Sequence, residues 1–380
     1  MAQSVDGNTA YTPPVMDYEG SRYRTEFWEG QSRQYEDAVE RLVLQAMVPD
    51  VGPSKSSGVR QTQLFVTGLD SSGAARRPVR RIAEIGAGFG RLADLYLDYD
   101  QIILFDYSRT LLRDAVERWG DDPRFIFVAG NVYDLPLATG SLDALVMVRV
   151  MHHLVDVPRA LSQLRRVLHH DSVAVVEYAN KRNLKAYARW LMGRQSWSPM
   201  VQTPVEFVKL NFDFHPAWMQ RRFEQARFRV MRQVAVSHFR LPLLKRLVPA
   251  SILAGLDAQL FDLGGKFPLS PSVFVRLLPV DTDAVLNAEG VVPGMDAAGS
   301  GAPAGAAFEN MSEDMHENAV TQSSPIDAPE SVAQLFCCPR CFAEGSFEQT
   351  QSDRVVCRVC DAAFGQQAGI WDFKELLQPA

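Results

Sequence analysis

Between residues 79 and 180, short apolar runs alternate with amphipathic segments. The runs predict five strands, at 79–85, 101–106, 124–129, 142–148 and 172–178. Apolar residues spaced three and four apart predict helices between them, over 91–98 and after the capping residues Ser108 and Asp156. Strands that alternate with helices are typical of a parallel sheet covered on both faces, so the pattern predicts a doubly wound α/β fold.

Two later apolar runs, 228–237 and 272–278, are predicted to add edge strands to this sheet. With them, residues 79–280 would form a seven-stranded, Rossmann-like sheet. The intervening residues 181–271 would then stand apart as a lid or substrate region.

Composition narrows the class of protein. The chain has 380 residues, of which 47% are hydrophobic and 22% charged, and these values exclude a wholly disordered, collagenous or coiled-coil protein. No apolar run reaches the ~18 residues that span a bilayer. The N-terminus lacks the basic and apolar regions of a secretory signal. We therefore expect a cytoplasmic protein without a transmembrane segment.

The net charge of −6 is the sum of opposed blocks. Residues 281–330 hold ten Asp or Glu and no Lys or Arg, and are rich in Ala, Gly, Ser and Pro, so we expect an acidic disordered linker. Residues 181–250 carry fourteen Lys or Arg against three Asp or Glu, a net of +11, together with ten aromatic residues. This basic, aromatic lid favours an anionic partner such as RNA, a phosphorylated metabolite or an acidic lipid. A helical lid with solvated or internally paired arginines explains the same counts.

A glycine loop follows the first predicted strand, with glycines at 86, 88 and 90. In such sheets a ligand binds beyond the carboxyl ends of the strands, where glycines let the backbone approach it. Asp106, 20 residues past Gly86, ends the second strand, where a carboxylate can accept from both hydroxyls of a ribose. Position 91 is Arg rather than the last glycine of a dinucleotide loop, so the spacing favours an adenosyl ligand without a pyrophosphate.

Four motifs in order carry a resemblance to a known family. They are 84–90 (EIGAGFG), 106–108 (DYS), 130–137 (GNVYDLPL) and 149–154 (RVMHHL), followed by Arg166, Val167 and Leu168. Over about 100 residues the chain resembles a class I S-adenosylmethionine-dependent methyltransferase of the group called type 11.

The resemblance implies S-adenosylmethionine as cofactor, with its methionine half on the glycine loop, its ribose on Asp106 and its adenine beside Tyr107, Asn131 and Val132. The cofactor-binding residues implied in this way are Glu84, Gly86, Ala87, Gly88, Asp106, Tyr107, Asn131, Val132 and Arg149. The family usually has Asp at 131, although an Asn oxygen can also accept from the adenine amino group. In similar enzymes an N-terminal helix covers the cofactor, and residues 1–78 are predicted to do so here. Arg33 and Tyr35 are candidates to reach the methionine carboxylate, or ordinary packing residues of that helix.

Methyl transfer from a sulfonium is an in-line displacement that needs a base only if the acceptor carries a proton. The candidate bases are His152, His153, His215 and His238. His215, among aromatic residues beyond the fifth strand, is preferred, with His153 second, and a packing role is the alternative for each. The chain lacks Asn-Pro-Pro-Tyr or Asp-Pro-Pro-Tyr after the fourth strand and has no cysteine outside 337–360. These absences argue against amine methylation of that type and against a thiolate adduct at pyrimidine C5.

The C-terminal residues 331–380 contain a second motif, Cys338-x2-Cys341-x15-Cys357-x2-Cys360. This spacing predicts a structural Zn²⁺ site, and the metal would supply much of the folding energy of so small a module. Cys337 is left as a reduced thiol. Together with 369–373 (GIWDF), the motif resembles the small zinc-ribbon family that partners methyltransferases or is fused to them. That resemblance implies a module that stabilises its methyltransferase or engages a translation-related substrate, and the acidic linker suggests docking on its own catalytic domain.

Three functions remain open on the sequence. The leading hypothesis is a methyltransferase acting on a small or lipid-like acceptor. An RNA methyltransferase, for tRNA or rRNA, would use the basic lid and the zinc ribbon for recognition. A non-catalytic scaffold would bind the cofactor without turnover.

Overall fold

The computed structural model describes residues 12–29, 33–49, 79–280 and 332–377. The predicted acidic linker 281–330 lies outside the described residues, as does more than half of the predicted N-terminal segment 1–78. Among the helices of the described ranges, none is long and apolar enough to cross a membrane.

Thirteen strands and eight α-helices make up the described fold. The strands are β1 (Arg81–Ile85), β2 (Gln101–Asp106), β3 (Phe125–Ala129), β4 (Leu142–Met147), β5 (Leu168–Ala179), β6 (Val205–Val208), β7 (Asn211–Asp213), β8 (Phe228–Val236), β9 (Ser272–Pro279), β10 (Phe347–Gln351), β11 (Arg354–Cys357), β12 (Ala363–Gln367) and β13 (Ile370–Asp372). The helices are α1 (Gln34–Met47), α2 (Arg109–Trp119), α3 (Val157–Arg166), α4 (Leu184–Leu191), α5 (Pro216–Gln225), α6 (Pro242–Leu247), α7 (Ala250–Gln259) and α8 (Phe261–Lys266), with a π-helix at Tyr23–Glu29.

The sheet confirms the predicted doubly wound fold. Its first seven strands lie in the order β3-β2-β1-β4-β5-β9-β8, and the pairs from β3 to β5 are parallel. Every residue of β1 is buried, as expected of a strand covered on both faces. The strand order reverses between β1 and β4, so this is the switch point at which a ligand binds in such folds.

The predicted helix starts at Ser108 and Asp156 are confirmed. The Ser108 side chain accepts from the backbone N–H of Leu111 at 3.3 Å, and the Asp156 carboxylate accepts from that of Arg159 at 3.0 Å. Each cap uses a donor that the first helical turn leaves without an internal partner.

Two predictions about elements are wrong. Residues 91–98 form turns and a short 3₁₀ helix, Ala93–Tyr96, instead of an α-helix. The Arg41 guanidinium of α1 donates to the Arg91 carbonyl at 2.6 Å, so a tertiary contact occupies an oxygen that a helix would use. Strand β9 is not an edge strand, because it lies between β5 and β8 and is antiparallel to both.

The four-cysteine module docks on the sheet through a strand. Its last strand, β13, pairs in parallel with β3, and the backbone N–H of Phe373 donates to the Ala129 carbonyl at 2.8 Å. The module therefore extends the sheet to eleven strands, in the order β10-β11-β12-β13-β3 at this end. The edge that β3 would otherwise expose is covered by the chain's own C-terminal part.

The module and the sheet share one apolar core. Phe336 is fully buried, with its ring centroid 4.7 Å from that of Phe373 and 5.5 Å from that of Trp371. These three side chains belong to the same buried cluster as Leu135 and Leu137 of the sheet domain. Because the core is continuous, we expect the two parts to unfold together.

Phe336→Ala should lower the free energy of unfolding by about 3–5 kcal/mol, since it removes a fully buried ring from the shared core. Phe342→Ala is the matched control, because that ring is 45% exposed on the same module. Denaturant unfolding followed by fluorescence and by circular dichroism should give coincident transitions in both variants. Two separated transitions in the native chain would contradict a shared core.

Candidate functional site

A cavity of about 890 Å³, its open mouth included, lies at the carboxyl ends of β1, β2 and β4. Most of the residues predicted to bind a cofactor line it. They are Glu84, Gly86, Ala87, Gly88, Asp106, Tyr107, Val132 and Arg149. The topology brings these residues together because parallel strands end at one edge of the sheet.

Gly86 turns the chain at the base of the cavity. Its φ is +77°, and a β-carbon at this position would lie 2.0 Å from Cγ2 of Val150. The backbone N–H of Gly86 donates to the carbonyl of Phe105 at 2.7 Å. Only glycine fits here, and its lack of a side chain lets the loop backbone form a wall of the cavity.

Asp106 joins the ends of the first two strands. One carboxylate oxygen accepts from the backbone N–H of Gly88 and the other from that of Ser108, each at 2.8 Å. Burial raises the pKa of Asp106 above its ordinary value, against the opposing effect of these backbone donors. Each oxygen can accept a further bond, so the geometry suits a pair of ribose hydroxyls.

Glu84 is a buried carboxyl that lines the cavity, and one of its oxygens has no hydrogen-bond partner in the described part of the chain. Burial raises its pKa to about 8. A buried acid without a partner is costly unless a ligand supplies a donor or a positive charge. The ammonium group of the methionine half of S-adenosylmethionine would supply both, so the residues present fit this cofactor.

Two arginines flank the cavity and share one partner. Glu40 of α1 forms ion pairs with Arg91 and with Arg149. Burial acts to raise the pKa of Glu40, but the two guanidiniums lower it below its usual value. Arg149 has a φ of 60°, and its backbone N–H donates to Glu177 at 3.0 Å. Helix α1 does not line the cavity itself, but its Glu40 holds two arginines that do.

The N-terminal residues 12–29 contribute aromatic side chains that the sequence did not single out. Tyr18, Tyr23 and Trp28 line the cavity, and the Arg91 guanidinium lies 3.8 Å from the Trp28 ring centroid. Trp28 and Arg91 are 63 positions apart, so no local pattern connects them. The predicted candidate Tyr35 instead donates to Asp257 at 2.8 Å, and the guanidinium of Arg33 lies over the Phe27 ring.

Of the four candidate histidines, His153 is the one that lines the cavity in the described chain. Its Nδ1 lies 2.9 Å from the Leu210 carbonyl and its Nε2 lies 3.3 Å from the Tyr18 hydroxyl. The His152 ring packs against that of His153, with the centroids 4.0 Å apart, and His238 contacts Asp257.

His215, the preferred base, does not line the cavity. It is the N-cap of α5, where its Nδ1 accepts from the backbone N–H of Ala217 at 3.1 Å. This placement gives His215 a structural task, and its catalytic role stays a prediction.

Asn131 lies beside the cavity rather than in it. Its oxygen accepts from the backbone N–H of Tyr133 at 3.0 Å, which caps the 3₁₀ helix Val132–Asp134. It lines a second cleft, between the sheet and the module, which also contains Lys374. The Lys374 ammonium donates to the Tyr107 carbonyl at 2.9 Å and lies 3.8 Å from the Tyr107 ring centroid. The module therefore contacts a residue of the cofactor cavity, a contact that the sequence did not predict.

Cys338, Cys341, Cys357 and Cys360 converge as predicted. Their sulfur atoms lie within 4.8 Å of one another, with Cys338 to Cys360 at 3.7 Å and Cys341 to Cys357 at 3.6 Å. Four thiolates about 2.3 Å from a central ion in a tetrahedron would be separated by ~3.8 Å. The four sulfurs could therefore hold a zinc ion. Cys337 is buried outside this cluster.

Residues 83–176 match the model of a protein family described as a methyltransferase domain. This segment is a methyltransferase domain. The chain is 30% identical over 108 residues to the 2-phytyl-1,4-naphtoquinone methyltransferase of Trichormus variabilis, a match that covers 27% of this chain and 47% of that protein. It is 32% identical over 109 residues to a probable S-adenosylmethionine-dependent methyltransferase of Mycobacterium tuberculosis, covering 28% of this chain and 39% of that protein. The chain thus spans less than half the length of these two relatives.

The chain is also similar to the chain of a solved structure. The solved chain comes from a complex that contains the Haloferax volcanii Trm112 methyltransferase activator. The two chains are 13% identical with a TM-score of 0.43, and the match covers 68% of this chain and 97% of that one.

Glu84 should make cofactor binding to the methyltransferase domain release a proton. With its pKa raised to about 8, the carboxyl of the free protein is mainly protonated at pH 7, and pairing with the methionine ammonium requires the ionised form. Binding at pH 7 should therefore release about one proton. Titration calorimetry in buffers of different ionisation enthalpy measures this number. In Glu84→Gln the release should disappear, and an unchanged release would show that Glu84 does not face the ammonium.

The four-cysteine module should hold one zinc ion per chain. Cys338→Ala and Cys357→Ala each remove a thiolate of the cluster, so the purified chain should lose its zinc and melt at a lower temperature. Cys337→Ala is the control, because it removes a neighbouring buried thiol from outside the cluster. Mass spectrometry of the purified variants measures the zinc content. Zinc that is lost from Cys337→Ala but kept in Cys357→Ala would show that the metal site does not consist of the four predicted cysteines.

Proposed function

We propose that the chain binds S-adenosylmethionine in the cavity of its methyltransferase domain and transfers the methyl group to a small, lipophilic acceptor. The observation that carries the proposal is the convergence of Gly86, Asp106 and Glu84 at the switch point. A backbone wall, a carboxylate suited to ribose hydroxyls and a buried carboxyl with one unpartnered oxygen together match the chemistry of an adenosyl amino acid.

When bound, the cofactor supplies an electrophilic methyl group on a sulfonium. Glu84 would hold the ammonium and Asp106 the ribose hydroxyls. Tyr107 would flank the adenine. These contacts would orient the bound cofactor, and orientation is the main requirement of an in-line displacement. Tyr18, Tyr23 and Trp28 would keep bulk water away from the reacting atoms.

His153 is the residue that we propose takes a proton from the acceptor. Burial lowers its pKa below the ordinary value, so the ring is neutral near pH 7. A neutral ring that donates from Nδ1 to the Leu210 carbonyl keeps its lone pair on Nε2, towards the Tyr18 hydroxyl. Burial raises the pKa of Tyr18 to about 12, so that hydroxyl stays protonated and would have to release Nε2 to the acceptor before the proton is transferred.

A lipophilic acceptor is supported by the cavity and by a relative. Apolar side chains of Val15, Met16 and Leu154 line the cavity beside the polar groups. The Trichormus variabilis relative is, by its name, a methyltransferase of a phytyl naphthoquinone. The alternative of an RNA acceptor has no support from the two curated relatives, whose names mention no RNA.

The acceptor class can be tested with cofactor labelled in the methyl group, the purified zinc-loaded chain and a native-like cell extract. Label should enter the organic-soluble fraction. Label in RNA that ribonuclease removes would replace the proposal with an RNA methyltransferase. Cofactor binding without label in any fraction would favour the non-catalytic scaffold. Asp106→Ala should abolish both binding and label.

The proton acceptor can be tested with His153→Asn and His215→Asn. His153→Asn should leave the Kd of the cofactor nearly unchanged and lower kcat by ~10²–10⁴, the usual contribution of a general base. His215→Asn should retain activity, because Asn also caps a helix N-terminus. Single-turnover methyl transfer measures both. Loss of activity in a folded His215→Asn variant, with His153→Asn active, would reverse the assignment.

A further inference from the structure

The lid of the methyltransferase domain, residues 181–271, is unusually apolar on its surface. Fifteen of the twenty large hydrophobic side chains that are exposed in the described chain belong to it. Because exposed apolar side chains concentrated in one segment often mark an interaction surface, this segment is a candidate docking surface. The rest of the described chain contributes only five.

The lid elements start from the edge of the sheet where the cavity opens. Strand β9 is antiparallel to both β5 and β8, so β5 and β8 run in the same direction and end at that edge. Helix α4 follows β5, and α6 follows β8. The β6–β7 hairpin reaches the cavity directly, because the Leu210 carbonyl contacts His153 at 2.9 Å.

Eight exposed side chains on α4, on the hairpin, on α6 with its N-cap residue, and at the end of α8 make up what we call the apolar rim. They are Leu184, Leu191, Phe207, Val208, Leu241, Leu243, Leu247 and Phe267. Leu191 is 77% exposed and Leu247 is 72% exposed, so neither packs against the fold. The backbone N–H of Leu184 donates to the Leu269 carbonyl at 2.8 Å, which brings α4 beside the chain segment that carries Phe267.

Positive charges lie among the rim residues. Lys185, Arg194, Lys209 and Arg246 are exposed next to rim residues or a few positions from them. The acids of the same elements are few, and the exposed Glu206 accepts from the backbone N–H of Leu210 at 2.7 Å. Leucines that project between lysines and arginines are the pattern of a surface that enters the headgroup region of an anionic bilayer. RNA would use the cations and leave the leucines in water.

We propose that the apolar rim and its flanking lysines and arginines dock the methyltransferase domain on an anionic lipid bilayer, with the mouth of the cavity facing the membrane. The leucines and Phe207 would enter the region between headgroups and acyl chains, and the cations would pair with lipid phosphates. The benefit of membrane docking rests on the proposed function: a lipophilic acceptor would pass from the bilayer to the cavity without crossing water.

The test is sedimentation of the full, zinc-loaded chain with vesicles, without cofactor or acceptor. Vesicles of phosphatidylcholine and phosphatidylglycerol in equal parts should bind the chain, and phosphatidylcholine alone should bind it far less. Leu243→Asn with Leu247→Asn should weaken binding by about tenfold or more, because two exposed leucines no longer enter the bilayer. Met231→Asn is the matched control, 52% exposed but away from the carboxyl end of β8.

The outcomes separate this inference from the proposed function. Binding that is equal for both vesicle types, or unchanged in the double leucine variant, would overturn the docking surface. The docking surface would also be overturned if the chain failed to bind vesicles and instead bound RNA with an affinity that falls steeply with salt. Methyl transfer to a detergent-dispersed acceptor is measured separately, so that docking without transfer, or transfer without docking, identifies which proposal fails. The double variant should keep the native cofactor Kd, which shows that it is folded.

Discussion

The Asp106 carboxylate holds together the part of the molecule on which the site depends. Its two oxygens accept from Gly88 on the glycine loop and from Ser108 at the start of α2, so one side chain joins the ends of β1 and β2. The loop can follow this path only because Gly86 has a positive φ and no β-carbon. Everything that lines the cavity is placed relative to this junction.

Burial of acids gives the site a bias towards a cationic, hydroxyl-bearing ligand. Burial raises the pKa values of both Glu84 and Asp106, which means that the folded chain bears a cost for keeping them ionised. Arg91 and Arg149 stand nearby but are already paired with Glu40. A ligand that brings its own ammonium and hydroxyls would relieve the acids without breaking those pairs.

The C-terminal module and the sheet complete each other. The module is too small to bury a core of its own, and β3 without it would expose a strand edge. The β13–β3 pairing and the Phe336 cluster meet both needs at once. Lys374 then extends the contact to Tyr107, so the four-cysteine module contacts a residue that lines the cavity. Residues 181–271, in contrast, leave many of their leucines and cations exposed.

The amino-acid sequence by itself determined the alternating elements, the caps at Ser108 and Asp156, the glycine loop with Asp106, and the four-cysteine cluster. Each depends on residues close in sequence or on a spacing that the local geometry of a turn sets. Residues 91–98 failed as a predicted helix because a contact from α1 took the Arg91 carbonyl, and no local pattern contains that contact. Only the tertiary structure decided that His153 rather than His215 faces the cavity, that Trp28 covers Arg91, and that β13 pairs with β3. Those contacts join positions from dozens to hundreds of residues apart, and local sequence patterns carry no information about which distant segments pack together.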